Sequence, residues 1–391
     1  MAEDHRASNG WSDLPWDLLD RILQHLELPE SLAVAAVCAP WRSAAVASGV
    51  PPRSRTPWLA SRVLGEARGS STFRNLLDAG KTHYKASLPQ GRRHLTWCGA
   101  SHGWLVASDE LSSLLLCNPF TLAVIPLPPT TALGCVKETD IIQCDYRGCW
   151  FYMKVVLSCD PSHRDDYIAM AIYGNNQVAF ARAGESTWQL VSEMPCQNKN
   201  RTFSEKGMDL YADCVSHNGR FYAVTMCGAV EAWDLSTEEE PSREAIIAAG
   251  DGRYWSVLTR FLVSTPWGAL LQIRTQRRRD HRGKIKVVVL QVDVEERRLI
   301  RLSPATSFQD QAVFVGLNDS RCLHPREFPE LRPNCIYFTT PSLTNAECFG
   351  LDDWSGVVIY DLESQTSDHV LPKPDHYSIL CPWHVWLIPN I

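Results

Sequence analysis

The chain lacks the segments that would place it in or across a membrane. Its N-terminus is polar and has no hydrophobic signal core, and no apolar run reaches the ~18 residues of a membrane-spanning helix. The 14 cysteines are scattered singly and form no Cys-x-x-Cys pair, so the sequence has no motif that predicts a zinc site. We therefore expect a protein of the cytosol or nucleus, where thiols stay reduced, without a metal or cofactor.

Sequence signatures of catalysis are also missing. No Gly-x-Ser-x-Gly elbow, phosphate-binding loop, Gly-x-Gly-x-x-Gly run or His-Glu-x-x-His motif occurs. Asp165-Asp166 and Asp352-Asp353 are adjacent carboxylates, but neighbours on a strand point to opposite faces. Neither pair forms an acid–base dyad by itself, so the sequence predicts a non-catalytic protein.

Charge is neither abundant nor strongly positive. Charged residues make up 21% of the 391 residues and the net charge is -6, which argues against general nucleic-acid affinity. Positive charge is concentrated in Arg274–Lys286, where seven Lys and Arg residues face one Asp. Without interleaved aromatics this segment offers no platform for base stacking. Three interpretations of this segment remain: a site for an acidic partner, a nuclear import signal, or a solvated hairpin loop.

Residues 11–42 carry the strongest pattern in the chain. From Leu18 to Leu26, leucine and isoleucine recur at helical spacing, and Pro15 stands where a helix start tolerates proline. A second short helix is predicted to begin near residues 29–31, and Pro40 ends it and opens a third. So short a module cannot bury all of its apolar surface alone, and we expect part of that surface to contact another protein.

The order of these residues resembles the F-box. The family's motif has Leu-Pro, a carboxylate two positions later, an apolar helix, a Leu/Ser turn, Val-Cys and Trp-Arg, and all occur here in that order. The resemblance implies docking on a Skp-type adaptor and, through it, on a cullin–RING ubiquitin ligase. A three-helix cap packed on its own domain is the alternative. The residues expected to bind the adaptor are Leu14, Pro15, Leu18, Leu19, Ile22, Leu23, Leu26, Leu32, Val37, Trp41 and Arg42.

From about residue 83 the chain changes character. Short β-rich runs alternate with turns rich in Gly, Asp, Asn and Pro, which is typical of an all-β sandwich, barrel or propeller. Similar units begin about 45–50 residues apart, the period of WD-type or kelch-type blades. The predicted fold is therefore mainly β: a three-helix F-box followed by a degenerate β-propeller of about six blades.

Several motifs in this region are similar to a plant F-box family with a C-terminal domain of unknown function of the KIB/SKIP-like kind. Ser-His-Gly-Trp-Leu at 101–105 is followed by Cys-Asn-Pro-Phe-Thr at 117–121 and Ile-Pro-Leu-Pro-Pro at 125–129. Phe-Val-Gly-Leu-Asn at 314–318, Asn-Cys-Ile-Tyr-Phe-Thr at 334–339 and the terminal residues 382–389 follow in the family's order. The resemblance implies a propeller-like substrate-receptor domain, and it supplies no catalytic residues.

The predicted domains follow from these patterns: a disordered N-terminus at 1–10, the F-box at 11–50, a linker with a short helix at 51–82, and the propeller-like receptor domain at 83–391. The predicted function is substrate recognition in a Skp–cullin–F-box (SCF) ubiquitin ligase. Two alternatives stay open: a propeller enzyme, such as a glycan hydrolase, with a docking module, and an F-box scaffold acting outside ubiquitination. The enzyme would turn over a substrate by itself, whereas the scaffold would bind the adaptor without cullin recruitment or target turnover.

The position of a target site is the least determined feature. Arg277, Arg278 and Arg279 in the basic segment are candidates, because loops carry binding on rigid scaffolds. His102 is interpreted as a ligand group or general base or, more simply, as a hydrogen-bonded structural histidine. A set of tryptophans either lines a cleft or packs between blades; they are Trp104, Trp188, Trp233, Trp255, Trp354, Trp383 and Trp386.

Overall fold

A computed structural model of the chain describes 16 segments of backbone, and the rest of this account concerns these segments. They are residues 10–26, 28–48, 57–61, 70–76, 83–87, 95–108, 113–129, 152–162, 166–173, 177–193, 211–235, 241–248, 257–277, 285–339, 357–371 and 384–389. Within them, no helix has the length and apolar character needed to cross a membrane. Of the N-terminal segment predicted to be disordered, residues 1–9 lie outside the described residues.

Three short helices form the N-terminal module. After a 3-10 turn at Trp11–Asp13, they are α1 (Trp16–Leu23), α2 (Leu28–Val37) and α3 (Ala39–Ala47). Pro15 is the N-cap of α1, and Pro40 lies in the first turn of α3. Both are positions where the missing N–H of proline leaves no helical hydrogen bond unmade. The predicted three-helix arrangement is confirmed.

After these helices, the described segments contain 25 strands. In chain order, the first twelve are β1 (Trp58–Ser61), β2 (Ser70–Asn75), β3 (His83–Ser87), β4 (Thr96–Ser101), β5 (Trp104–Ser108), β6 (Leu114–Cys117), β7 (Val124–Pro126), β8 (Tyr152–Leu157), β9 (Ile168–Tyr173), β10 (Gln177–Arg182), β11 (Gln189–Glu193) and β12 (Tyr211–His217). The others are β13 (Arg220–Thr225), β14 (Val230–Asp234), β15 (Ser242–Ile247), β16 (Val257–Ser264), β17 (Leu270–Arg277), β18 (Ile285–Asp293), β19 (Arg298–Arg301), β20 (Ala312–Val315), β21 (Arg321–Leu323), β22 (Cys335–Thr339), β23 (Val357–Asp361), β24 (Thr366–Leu371) and β25 (His384–Leu387).

These strands build six sheets, which are the blades of a β-propeller. Blade 1 has the strand order β25-β1-β2-β3, and blades 2 to 5 are the meanders β4 to β7, β8 to β11, β12 to β15 and β16 to β19. Blade 6 has five strands in the order β21-β20-β22-β23-β24. The predicted mainly-β fold with about six blades is confirmed. Closing the sheets into a ring leaves only short edges exposed.

Blade 1 joins the two ends of the propeller chain. Its first strand in sequence, β1, pairs antiparallel with the last, β25, so that Leu59 lies opposite Trp386. Both strands lie within the segments 57–61 and 384–389, and Trp58 to Ala60 of β1 and Val385 to Leu387 of β25 are fully buried. This corrects the prediction of a linker with a short helix at 51–82: its described residues 57–61 and 70–76 form β1 and β2. The strand pairing links residues more than 300 positions apart, and no local pattern predicts it.

The innermost strands repeat one irregularity. In β4, β8, β12 and β16 the pairing register shifts at the start of the strand, at Trp97/Gly99, Tyr152/Lys154, Tyr211/Asp213 and Val257/Thr259. Each shift is a bulge, which bends the strand and increases its twist. The four blades therefore share a structural repeat although their sequences have diverged, and the residues after the bulge occupy equivalent places around the axis.

Buried aromatic residues hold neighbouring blades together. Trp104, Trp188, Trp233 and Trp386 are all at least nine-tenths buried, and Trp188 Nε1 donates to the carbonyl of Pro128 across the boundary between blades 2 and 3. Large aromatic side chains bury 150–250 Å² each, roughly. All four pack in hydrophobic clusters between blades. Trp255, Trp354 and Trp383 lie outside the described residues.

Candidate functional site

The F-box has a small core of its own. Leu19 and Leu23 on α1 are 2% and 1% exposed, and they pack against Ala44 and Ala45 of α3. This corrects their prediction as adaptor-binding residues. Neighbouring positions on a helix point about 100° apart, so a continuous apolar pattern covers both an inner and an outer face, and Leu19 and Leu23 face inward.

The outer face of the same helices is apolar and open. On α1, Leu18 and Ile22 are 43% and 38% exposed, and Val37 at the end of α2 is 58% exposed. Trp11 and Trp16 are also exposed. Several large apolar side chains exposed on so small a module indicate a protein interaction surface. Leu18 and Ile22 lie on one side of α1, and we call this side the apolar face.

The other predicted adaptor contacts surround this face. Leu14, Leu26 and Trp41 are half-buried, while Pro15 and Arg42 are exposed. The Trp41 indole Nε1 donates to the carbonyl of Trp11 at 2.9 Å, which holds the 3-10 turn against α3. Leu32 lies on α2, and its side chain is outside the described residues.

A polar group fills the axis of the propeller. Lys154 of β8 forms an ion pair with Asp213 of β12, and both side chains are at least 97% buried. Lys154 Nζ also donates to the carbonyl of Gly316 in blade 6 at 3.4 Å, and Asp213 accepts the Leu262 N–H at 2.7 Å. Burial raises the pKa of Asp213 to about 6, and Lys154 opposes that rise. These contacts join blades 3, 4, 5 and 6.

Blade 6 sends a segment across the ring to blade 2. Between β20 and β21, Asn318 bridges to Ala100 of β4, and the Asp319 N–H donates to the Ala100 carbonyl at 2.6 Å. A Cβ on Gly99 would lie 2.7 Å from the carbonyl of Val155 and 3.3 Å from that of Leu317. Glycine at position 99 therefore allows three backbone segments to meet: β4, β8 and the segment 316–320 of blade 6.

A cavity of about 320 Å³ lies beside this segment. Blade 2 contributes residues 100–103, blade 6 contributes Asn318, Asp319 and residues 321–323, and blade 1 contributes Trp386, Ile388 and Pro389. The lining combines polar side chains with the apolar side chains of Leu323 and Ile388. We call it the central cavity.

Arg321 lies in the central cavity between two partners. Its Nη2 lies 2.9 Å from Asp319 Oδ2 and 3.2 Å from both ring nitrogens of His102. Burial, followed by the Arg321 charge, lowers the pKa of His102, so the ring is neutral near pH 7 and does not repel the guanidinium. His102 has a φ of 49° before Gly103 at 80°, a left-handed turn that few non-glycine residues adopt.

The basic segment is only partly described. Arg277 is the last residue of β17, and Arg278 and Arg279 lie outside the described residues. Arg274, at the start of the segment, is 8% exposed inside β17, so it belongs to the sheet and not to a solvated loop. Among the described side chains of the segment, Arg274 does not line the central cavity.

Comparison with known proteins agrees with both halves of the chain. Residues 11–48 match the F-box domain, and residues 73–367 match the family described as "KIB1-4 beta-propeller". The chain belongs to this propeller family. The match spans most of the ring, and it begins inside β2, within the segment that the sequence pattern had suggested as a linker.

Relatives of this family member are F-box proteins of Arabidopsis thaliana. The F-box/kelch-repeat protein At3g18720 is 25% identical over 336 residues, covering 83% of this chain and 78% of its own. A relative named for an F-box, At4g17565, is 22% identical over 97% of this chain and 95% of its own. Among solved structures, the β-propeller domain of the Myceliophthora Cps50 (Swd1) protein has a TM-score of 0.39 at 11% identity, covering 83% of this chain and 85% of that one.

Sequence reasoning found part of the central cavity and missed the rest of it. His102 and Gly103 stood out as a motif, but Arg321 and Asp319 did not. Their signal is the Asp-x-Arg spacing, which places both side chains on one face of an extended segment. The spacing is common, and only the crossing of blade 6 towards blade 2 gives it a partner in His102.

Proposed function

We propose that this family member is a substrate receptor of a Skp–cullin–F-box ubiquitin ligase in the cytosol or nucleus. The apolar face of the F-box is the observation that supports the proposal most directly. Leu18 and Ile22 lie one helical turn apart on α1 and remain exposed while Leu19 and Leu23 fill the core. Burying one such side chain contributes roughly 1.5–3 kcal/mol, so the face is suited to a stable partner.

The propeller is suited to holding a target. Its ring is closed by strand pairing, and its axis is fixed by the Lys154–Asp213 pair, so loops at its ends are carried on a rigid support. Holding a target near the ubiquitin-loaded enzyme raises the effective concentration of its lysines. In this proposal the receptor needs no bond chemistry of its own.

Reconstitution tests the proposal. The full chain is co-expressed with a Skp-type adaptor and mixed with a cullin–RING core, and proteins captured from cells with the proteasome blocked are tested for ubiquitin transfer. We expect a captured protein to be modified only when chain, adaptor and cullin are all present. Adaptor binding without cullin recruitment would favour a scaffold, and turnover of a glycan by the chain alone would favour a propeller enzyme.

The basic segment is a second candidate contact for the target. Arg277, Arg278 and Arg279 follow one another at the end of β17, and clustered positive charge accelerates association with an acidic partner. Changing the three together to Glu should slow capture of an acidic target and remove much of its salt dependence. Capture that is identical in wild type and the triple variant would return this segment to a solvated hairpin.

A further inference from the structure

The central cavity combines features of a built binding site. It encloses about 320 Å³, which is near the lower end of the range for ligand pockets. Three blades contribute to it, and the buried residues Asn318 and Asp319 are part of its lining. The site is therefore formed only when the ring is closed, and its shape is set by the packing of the fold.

Arg321 is held in one geometry inside this cavity. Asp319, itself 6% exposed, fixes Nη2 from one side, and its own position is set by the backbone hydrogen bond to Ala100. The imidazole of His102 fixes the same nitrogen from the other side. An arginine oriented by packing and a carboxylate loses little side-chain freedom when it binds a further group.

The guanidinium still has donors to offer. The Arg321 side chain is 39% exposed, and within the described segments no acceptor is paired with its Nε or Nη1. Planar guanidinium groups match carboxylates, which accept two parallel N–H bonds. Asp319 and Asp160 are the negative groups near His102, but Asp319 is already bonded to Arg321, and Asp160 accepts from Trp104 Nε1 at 3.2 Å.

Part of the cavity lining is apolar. Trp386 is fully buried, with its Nε1 donated to the Tyr337 carbonyl at 3.1 Å, so its ring offers no polar group. Leu323 and Ile388 are half-buried beside it. A ligand that reaches Arg321 therefore places its neighbouring atoms against hydrocarbon.

We propose that the central cavity binds a carboxylate that has a large apolar group beside it, carried on a short peptide segment of the recruited protein. Arg321 binds the carboxylate, and Leu323 and Ile388 receive the apolar group. The inference rests on the proposed function only in taking the peptide segment to be part of the recruited protein. Peptide binding itself needs neither the adaptor face nor the cullin.

A random peptide library displayed on phage tests the proposal on the purified full chain. We expect wild type to enrich peptides with a carboxylate next to a large apolar residue. Arg321→Gln should raise the Kd of a selected peptide at least 10-fold, and Arg321→Lys should lie between. The matched control is Arg326→Gln, an exposed arginine three residues beyond β21, which should leave the Kd unchanged.

A second variant guards against a folding defect, because Arg321→Gln removes the partner of a buried carboxylate. Ile388→Glu leaves the Asp319–Arg321 pair intact and places a carboxylate on the cavity wall, so it should compete with the ligand and abolish binding while cooperative thermal unfolding shows that the ring still folds. Enrichment that lacks carboxylates, or binding equal in wild type and both variants, would overturn the proposal. If phenylacetate, a free carboxylate with an apolar group, bound as tightly as the selected peptide, this would contradict the proposal that the carboxylate is carried on a peptide. Adaptor co-purification, measured in parallel, reports separately on the proposed function.

Discussion

Lys154 and Asp213 form a buried ion pair between the innermost strands of blades 3 and 4. Lys154 also reaches Gly316 in blade 6, on the opposite side of the ring. The axis of the propeller is thus occupied by charged side chains that hold distant blades at a fixed separation. Removing one partner of a buried pair leaves an uncompensated charge, which is costlier than removing both.

The first prediction concerns this pair. Lys154→Met should lower the free energy of unfolding by about 3–5 kcal/mol, because Asp213 would lose its cation while keeping the Leu262 N–H. Asp213→Asn keeps an acceptor for Leu262 but leaves Lys154 unpaired. The double variant should be more stable than the sum of the two single losses indicates, as measured by urea unfolding in a double-mutant cycle. Additive losses would show that the two charges do not interact.

The second prediction concerns adaptor docking. Ile22→Asp places a carboxylate on the apolar face and should abolish co-purification with a Skp-type adaptor, because a buried unpaired charge is strongly unfavourable. Gln24→Glu, at the exposed end of α1, is the matched control and should co-purify normally. Leu19→Ala should act differently, lowering the stability of the module by about 2–5 kcal/mol through loss of core packing. Normal binding by Ile22→Asp would place the adaptor surface elsewhere.

The sequence predicts those parts of the fold in which the contacting residues lie close together in the chain. Local spacing was enough for α1 to α3 and for the meanders of blades 2 to 5, because their strands pair with sequence neighbours. It was not enough for β2, a short strand of Ser, Thr, Arg and Asn around one Phe, which has little apolar alternation. It also could not separate Leu18 from Leu19 by role, since that depends on where α3 packs.

The central cavity shows the same limit. Its residues come from three stretches, near 101, 320 and 388, and none has a composition that indicates binding alone. The five-stranded blade 6 is the reason they meet: β22 pairs in parallel with β20 while β21 lies on its other side. The regular spacing of the repeated units in the sequence predicts four-stranded meanders. The parallel pair in the five-stranded blade 6 could therefore be found only in the structure.

The third prediction concerns ring closure. Deleting residues 384–391 removes β25 and exposes the apolar edge of β1, since Val385, Trp386 and Leu387 are fully buried. We expect the ring to lose cooperative unfolding and to become sensitive to limited proteolysis. The F-box should still co-purify with adaptor, because its core lies within residues 14–45. An unchanged proteolysis pattern would mean that blade 1 is stable with three strands.

The fourth prediction concerns pH. Burial, followed by the Arg74 charge, lowers the pKa of His384 to about 4, against about 6.5 in the unfolded chain. The unfolded state therefore binds more protons between these values, so stability is fully present above about pH 6.5 and falls towards pH 4, by about 3 kcal/mol at most. His384→Gln should remove this part of the acid sensitivity in urea unfolding measured at pH 7 and pH 4.5. Parallel pH profiles of the two proteins would contradict the assignment.

Pairing β25 with β1 also orders events during synthesis. The F-box precedes the propeller in the chain, and residues 384–387 leave the ribosome more than 300 residues after β1, so the ring cannot close until β25 has been synthesised. Under the proposed function, a chain truncated before β25 occupies adaptor and holds no target. Such a product would act as a dominant competitor of the intact receptor, so synthesis of β25 decides between a working subunit and an inhibitor.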